Sequence, residues 1–221
     1  MRPSDAFRRA AHAIWEANYA HPFVQGIGDG TLSEERYRFY LAQDYIYLID
    51  FSRFFAVAAA KAPNLMPMER FAKLLDETLH LEMDLHRSLC AEFGISRQEL
   101  ERTRASPTCL AYTSYLLRVA YEGETATLLA ALLPCSWGYG EIGLRLRAKG
   151  LPPAAHYAKW IETYASVEYQ EIVEWLRALF DETVSGLGVM QRIRLQDFFD
   201  TSSRWEYLFW EMAWRMETWP V

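Results

Sequence analysis

The chain lacks any run of about 18 apolar residues, the length that a membrane-crossing helix requires. Its opening stretch, MRPSDAFRRAAHAIWEAN, has no apolar core of the kind a secretory signal carries. Cysteine is scarce: Cys90, Cys109 and Cys135 are all there is. An odd number without a Cys-x-x-Cys spacing makes neither a disulfide framework nor a zinc site. A reduced, cytoplasmic setting is therefore expected. Positive charge is also short, with a net charge of -6. A nucleic-acid partner calls for a basic face, so none is expected. Arg145, Arg147 and Lys149 do cluster, as cations at the C-terminal end of a helix commonly do. No Gly-x-Gly-x-x-Gly, Walker loop or Ser-His-Asp order occurs. Strand-like alternation, a fixed repeat and a Pro/Ser-rich linker are missing too.

What remains is a 221-residue chain that is 51% hydrophobic and 15% aromatic, enough for one domain with a large core. Helical periodicity runs almost throughout. Ser4 is the expected cap of a first helix reaching about Ala20, ended by His21-Pro22. Gln25 to Thr31, with Gly26, Gly28 and Gly30, reads as a loop. Ser33 should cap a long helix to about Ala62. A third runs from about Met66 to Phe93 and stops at Gly94. Ser96 and Pro107 open two more, ending near Arg104 and Glu122. Thr125 to Lys149 follows, then Ala155 to Tyr164, Ser166 to Val184 and Val189 to Glu217. The fold class is all-α, a single-domain helical bundle over 1–221.

Three stretches carry chemistry. In Leu133-Pro134-Cys135-Ser136-Trp137-Gly138-Tyr139, a proline interrupts a helical apolar pattern. A helix restarting there would put Cys135 near a positive helix end, which stabilises a thiolate. A buried, inert cysteine is the other reading of the same residues. In Gln43-Asp44-Tyr45-Ile46-Tyr47, Asp44, Tyr47 and Phe51 share one helix face. A carboxylate on that apolar face needs a donor: an arginine, a tyrosine hydroxyl or a ligand amine. Near the C-terminus Glu206 sits among Trp205, Phe209 and Trp210. An apolar setting would suit it to exchange a proton, whereas an outward-facing glutamate beside Arg204 would only be solvated. A rival constellation is Glu77-x-x-His80 with Glu82 and His86. It resembles half of a di-iron site, but a second Glu-x-x-His is missing. His80 and His86 then read as core or hydrogen-bonding residues.

In combination these motifs resemble the TenA family, also called thiaminase II or aminopyrimidine aminohydrolase. The resemblance spans nearly the whole chain. It rests on Asp44 in Gln43-Asp44-Tyr45, Ala111-Tyr112-Thr113, Leu133-Pro134-Cys135-x-Trp137-x-Tyr139, Trp160-Ile161-x-x-Tyr164-Ala165-Ser166 and Glu206-x-x-Phe209-Trp210. It implies a heme-oxygenase-like bundle that binds no heme, usually a homotetramer. The implied activity is hydrolysis of a 5-aminomethyl-pyrimidine to the 5-hydroxymethyl compound in thiamin salvage, with no metal or other cofactor. The implied nucleophile is Cys135 and the implied acid/base Glu206. Asp44 would hold the pyrimidine, with Tyr47, Tyr112, Tyr139 and Tyr164 completing the substrate pocket. The partner is then a small pyrimidine, not a nucleic acid or a membrane. A non-catalytic pyrimidine-binding or regulatory protein, or a di-iron oxygenase on the same fold, are the competing classes.

Overall fold

Side-chain caps set most of the helix starts. The computed structural model describes residues 2–221, apart from the side chains of Leu81, Glu82 and Leu85. Among them are twelve α-helices, one π turn and no strand. Ser33 Oγ accepts from the Arg36 amide and opens α4 (Glu34–Lys61). Its 28 residues span roughly 42 Å at 1.5 Å per residue. Ser96 and Glu99 form a reciprocal capping box at α7 (Arg97–Arg102). Ser106 caps α8 (Pro107–Glu122), and Ser166 caps α11 (Val167–Ser185). The remaining long elements are α9 (Thr125–Lys149), α10 (Ala155–Tyr164) and α12 (Val189–Arg215).

Several expectations need correction. The first helix is two, α1 (Pro3–Ala10) and α2 (His12–Tyr19). Ser4 does not cap it. Instead its amide and hydroxyl both donate to the Asp181 carboxylate, at 2.6 and 3.1 Å. The expected loop at Gln25–Thr31 is mostly α3 (Pro22–Asp29), closed by left-handed Gly30 at φ 78°. Its glycines serve packing: a Cβ on Gly28 would lie 2.6 Å from Leu146 Cδ2. Arg145 is more than a solvated helix end. It pairs with Glu16 at 2.8 Å, and Arg145, then Arg8, draw the Glu16 carboxyl down to about 2.

The third helix is α5 (Leu65–Glu77), a π turn over Thr78–Glu82, and α6 (Met83–Glu92). The π turn explains the spacing of its buried residues. Phe71, Leu74 and Thr78 are buried at helical intervals, and among the described side chains the next buried positions are Met83, His86 and Cys90. The five-residue step from Thr78 to Met83 is the extra residue of the π turn. It re-registers the stripe, so that His86 joins the buried face of α6. Glu77 instead pairs with Lys73, and His80 lies exposed beside Asp76. The Glu82 side chain lies outside the described residues. Among those described, no group of three or more His, Cys, Asp or Glu side chains is placed to hold a metal. No described helix is long and apolar enough to cross a membrane.

The chain folds as two units, each a helical bundle around its own aromatic core. One comprises the segment ending at Leu32 with Ala126–Glu211; the other is Ser33–Thr125 with Met212–Val221. In the first, Phe7, Phe180 and Phe199 pack edge to face, and Trp15 stacks on Phe199. In the second, α4 packs on α5, α6 and α8, with Phe51, Phe54 and Phe55 in mutual contact.

Candidate active site

The candidate residues divide between the units. Cys135, Tyr139, Tyr164 and Glu206 belong to the first; Asp44, Tyr47 and Tyr112 belong to the second. All but Tyr164, which is half-buried, are buried.

In the first unit α9 runs unbroken through Pro134. The helix is continuous over its expected span of Thr125 to Lys149; the restart weighed at Pro134 does not occur, so α9 has no N-terminus at Cys135. A single proline costs one ladder donor, and the packing around the buried middle turns of α9 holds the backbone through it. Four residues beyond Cys135, Tyr139 enters an aromatic cluster. Its ring centroid is 4.9 Å from those of both Tyr164 and Trp210, and 5.8 Å from that of Trp160. Tyr164 is brought there by a close approach: Gly143 of α9 leaves room for the Tyr164 backbone at the end of α10.

Glu206 is 6% exposed, which sets aside the outward-facing alternative. Its neighbours on α12 explain this. Ser202 Oγ donates to the Ala131 carbonyl at 2.6 Å. Ser203 Oγ accepts from the Trp15 indole at 2.9 Å and donates to the Phe199 carbonyl. The Asn18 amide donates to the Ser203 carbonyl at 3.0 Å. These bonds turn the face carrying Ser202, Ser203 and Glu206 inward. Pro134, Tyr139, Ser203, Glu206 and Trp210 border one pocket of about 20 Å³. That is room for about one water, too little for a heterocycle.

In the second unit Asp44, Tyr47 and Phe51 do share the buried face of α4. Tyr47 stacks on Phe51 at 5.3 Å and tilts against Tyr112 of α8 at 5.4 Å. Gln43, next to Asp44, has a structural task. Its amide donates to the Arg104 carbonyl and accepts from the Ser106 amide, which fixes the chain entering α8. Among the described residues no arginine or tyrosine hydroxyl is recorded as donating to Asp44. Burial pushes its carboxyl up to about 7. His86 Nδ1 lies 3.6 Å from Oδ2. Cys90 and Cys109 are buried core thiols, pushed up to about 12 by burial first and by Asp44 second.

Sequence reasoning had left His86, Trp160 and the Ser202-Ser203 pair without a place in the site. The serines carried a usable signal, since they fall in the same helical stripe as Glu206, Phe209 and Ala213, all buried. His86 carried none, because a π turn shifts its register.

A model of the TENA/THI-4/PQQC family matches residues 8–216. The chain is 48% identical to an aminopyrimidine aminohydrolase of Halalkalibacterium halodurans, over 95% of this chain and 94% of that one. Among solved structures it superposes on a TenA homologue protein from P. horikoshii OT3 with a TM-score of 0.90 and 32% identity, covering 97% of this chain and 99% of that one. A domain with a heme oxygenase-like fold from Shewanella denitrificans matches at a TM-score of 0.73 and 14% identity, over 96% of this chain and 92% of that one, a likeness of fold alone. The architecture is thus the heme-oxygenase-like helical bundle, and the chain belongs to the TENA/THI-4/PQQC family.

Proposed function

We propose that this protein is an aminopyrimidine aminohydrolase, replacing the amine of a 5-aminomethyl-pyrimidine with hydroxyl in thiamin salvage. The observation that carries this reading is the burial of three reactive groups in an aromatic setting. Asp44 is 9% exposed, Cys135 8% and Glu206 6%. A buried carboxyl such as Asp44 destabilises a fold unless something meets it, and a substrate gives it a reason to be there.

Cys135 is the nucleophile and Glu206 the acid/base. Glu206 takes the Cys135 proton as sulfur adds to the pyrimidine ring, which interrupts the aromaticity. The ring electrons then expel the exocyclic amine, and Glu206 returns the proton to the departing nitrogen. Water adds at the methylene carbon and gives a proton to Glu206. The carbon–sulfur bond breaks, aromaticity returns, and Glu206 reprotonates the leaving sulfur. Asp44 grips the amino group and ring nitrogen of the pyrimidine, and Tyr47, Tyr112, Tyr139 and Tyr164 complete the pocket. The cycle regenerates both groups and consumes only water, and the protein works as a homotetramer in the cytoplasm.

The test is a panel of aminopyrimidines with product mass spectrometry, run on the wild type, Cys135→Ser and Glu206→Gln. The wild type should yield the hydroxymethyl product. Both variants should lose about 10³-fold or more in turnover while still binding the pyrimidine. Ordinary turnover by Cys135→Ser would remove the nucleophile from the mechanism.

A further inference from the structure

Asp44 and His86 face each other in a way that fixes where a proton must be. His86 Nε2 lies 2.5 Å from the Leu41 carbonyl oxygen. A carbonyl can only accept, so Nε2 carries hydrogen. In the neutral ring Nδ1 is then a bare lone pair, and it is turned toward Asp44 Oδ2 at 3.6 Å. A lone pair opposite a carboxylate is repulsive; opposite a carboxylic acid it is a hydrogen-bond acceptor. His86 is buried, and burial lowers its own affinity for a second proton.

The other ionisable groups around α4 do not alter this. From α6 the second group is the Cys90 thiol, and from α8 the Cys109 thiol, both pushed up and so uncharged at neutral pH. Arg87 of α6 lies 6.0 Å over the Tyr45 ring and bonds Asp84. Arg70, Lys73 and Asp76 of α5 are exposed, and Glu77 pairs with Lys73. His80 of the π turn is exposed beside Asp76. On α8 the Tyr112 and Tyr115 hydroxyls are weak acids, and Arg118 pairs with Glu122. Among the described residues no cation compensates Asp44.

We propose that His86 is a positioning residue that keeps a proton on Asp44, so that Asp44 meets the aminopyrimidine as a neutral acid. This rests on the reading of Asp44 as the pyrimidine clamp. The chemistry of the ligand edge asks for it. A 4-aminopyrimidine presents one donor, its amino group, beside one acceptor, its ring nitrogen. A carboxylate offers two acceptors and leaves the ring nitrogen unpaired. A carboxylic acid offers an acceptor and a donor and pairs with both. In the free protein a bare carboxylate would face the Nδ1 lone pair at 3.6 Å, so the proton stays on Asp44. When the pyrimidine docks it turns to the ring nitrogen, where it neutralises the electron pair released as sulfur adds. No proton is exchanged with solvent.

The test measures the affinity of the hydroxymethylpyrimidine product between pH 5.5 and 8.5, beyond the ligand's own titration, for the wild type, His86→Gln, Asp44→Asn and Asp44→Ala. Glutamine presents an N–H where the lone pair was, which favours the carboxylate. His86→Gln should therefore lose about tenfold in affinity at pH 8 and stay within about twofold of wild type at pH 5.5, a one-unit downward shift of the alkaline limb. Asp44→Asn carries the same acceptor–donor edge without titrating, so its affinity should be flat across the range. An unshifted limb in His86→Gln, an upward shift (the mark of an imidazolium), or a limb that survives in Asp44→Asn would overturn the role of His86. Wild-type affinity in Asp44→Ala would instead overturn the clamp itself, so the two failures are distinguishable. Should His86→Gln not fold, His86→Asn, which also removes the Nδ1 lone pair, takes its place with the same expected downward shift, and an unshifted limb there overturns the role of His86.

Discussion

Gly143 lies so close to Tyr164 that a Cβ added to it would sit 2.8 Å from both the Tyr164 Cβ and its carbonyl carbon. Backbone cannot swing aside as a side-chain tip can. Gly143→Ala should therefore push the end of α10 away and carry Tyr164 with it. A destabilisation of about 1–3 kcal/mol is expected, with a clear rise in KM. Chemical denaturation and steady-state kinetics read the two effects. A wild-type KM would mean that Tyr164 need not hold this position.

Gly138 on the same helix is the control. A Cβ there meets nothing within 4 Å. Gly138→Ala should stabilise the protein by roughly 0.5–1 kcal/mol through helix propensity alone. A lower denaturation midpoint would show that the open space beside it is used.

Asp44 should make the fold weaker as pH rises. Its carboxyl stands at about 7 in the folded protein against 3.8 for a free aspartate. Between those values the folded state holds a proton that the unfolded chain has released, so stability falls with rising pH across that window. Asp44→Asn removes the titration. Its melting temperature should exceed that of the wild type by more at pH 8 than at pH 5. An equal offset at both would place the strain elsewhere.

His21 acts in the opposite sense. Its Nδ1 accepts from the Phe23 amide as the cap of α3, and its Nε2 lies 3.0 Å from Glu211 Oε2. The cap needs a bare Nδ1, and burial lowers the ring's proton affinity despite Glu211. The unfolded chain thus binds a proton near pH 6.5 that the folded state refuses, and this stability is lost as pH falls below 6.5. His21→Ala should cost about 1 kcal/mol at pH 7.5 through the lost cap, and less at pH 5.5. Urea denaturation at both values is the check; a larger cost at pH 5.5 would contradict the neutral cap.

The sequence was most informative where a local rule has no competitor. Ser33 and Ser96 cap the helices their spacing indicated, Pro107 opens α8, and Gly94 takes the left-handed conformation at φ 71°. The rules failed where packing outweighed propensity. Gly26 and Gly28 are helical because their missing side chains admit Leu32 and Leu146. Pro134, by contrast, lies buried within α9, which runs from Thr125 to Lys149 as its periodicity indicated.

The amino-acid pattern by itself determined an all-helical chain, the caps of its longer helices and the motifs that mark its family, because each depends on residues within a few turns of one another. The direction in which particular groups face was decided only by tertiary structure. Glu206 is turned inward by Ser202 and Ser203 through bonds to Ala131 and Trp15. His86 reaches Asp44 only because a π turn inserts one residue into the stripe of its helix. Both outcomes depend on partners some 45 to 190 positions away in sequence, and helical periodicity carries no record of contacts that distant.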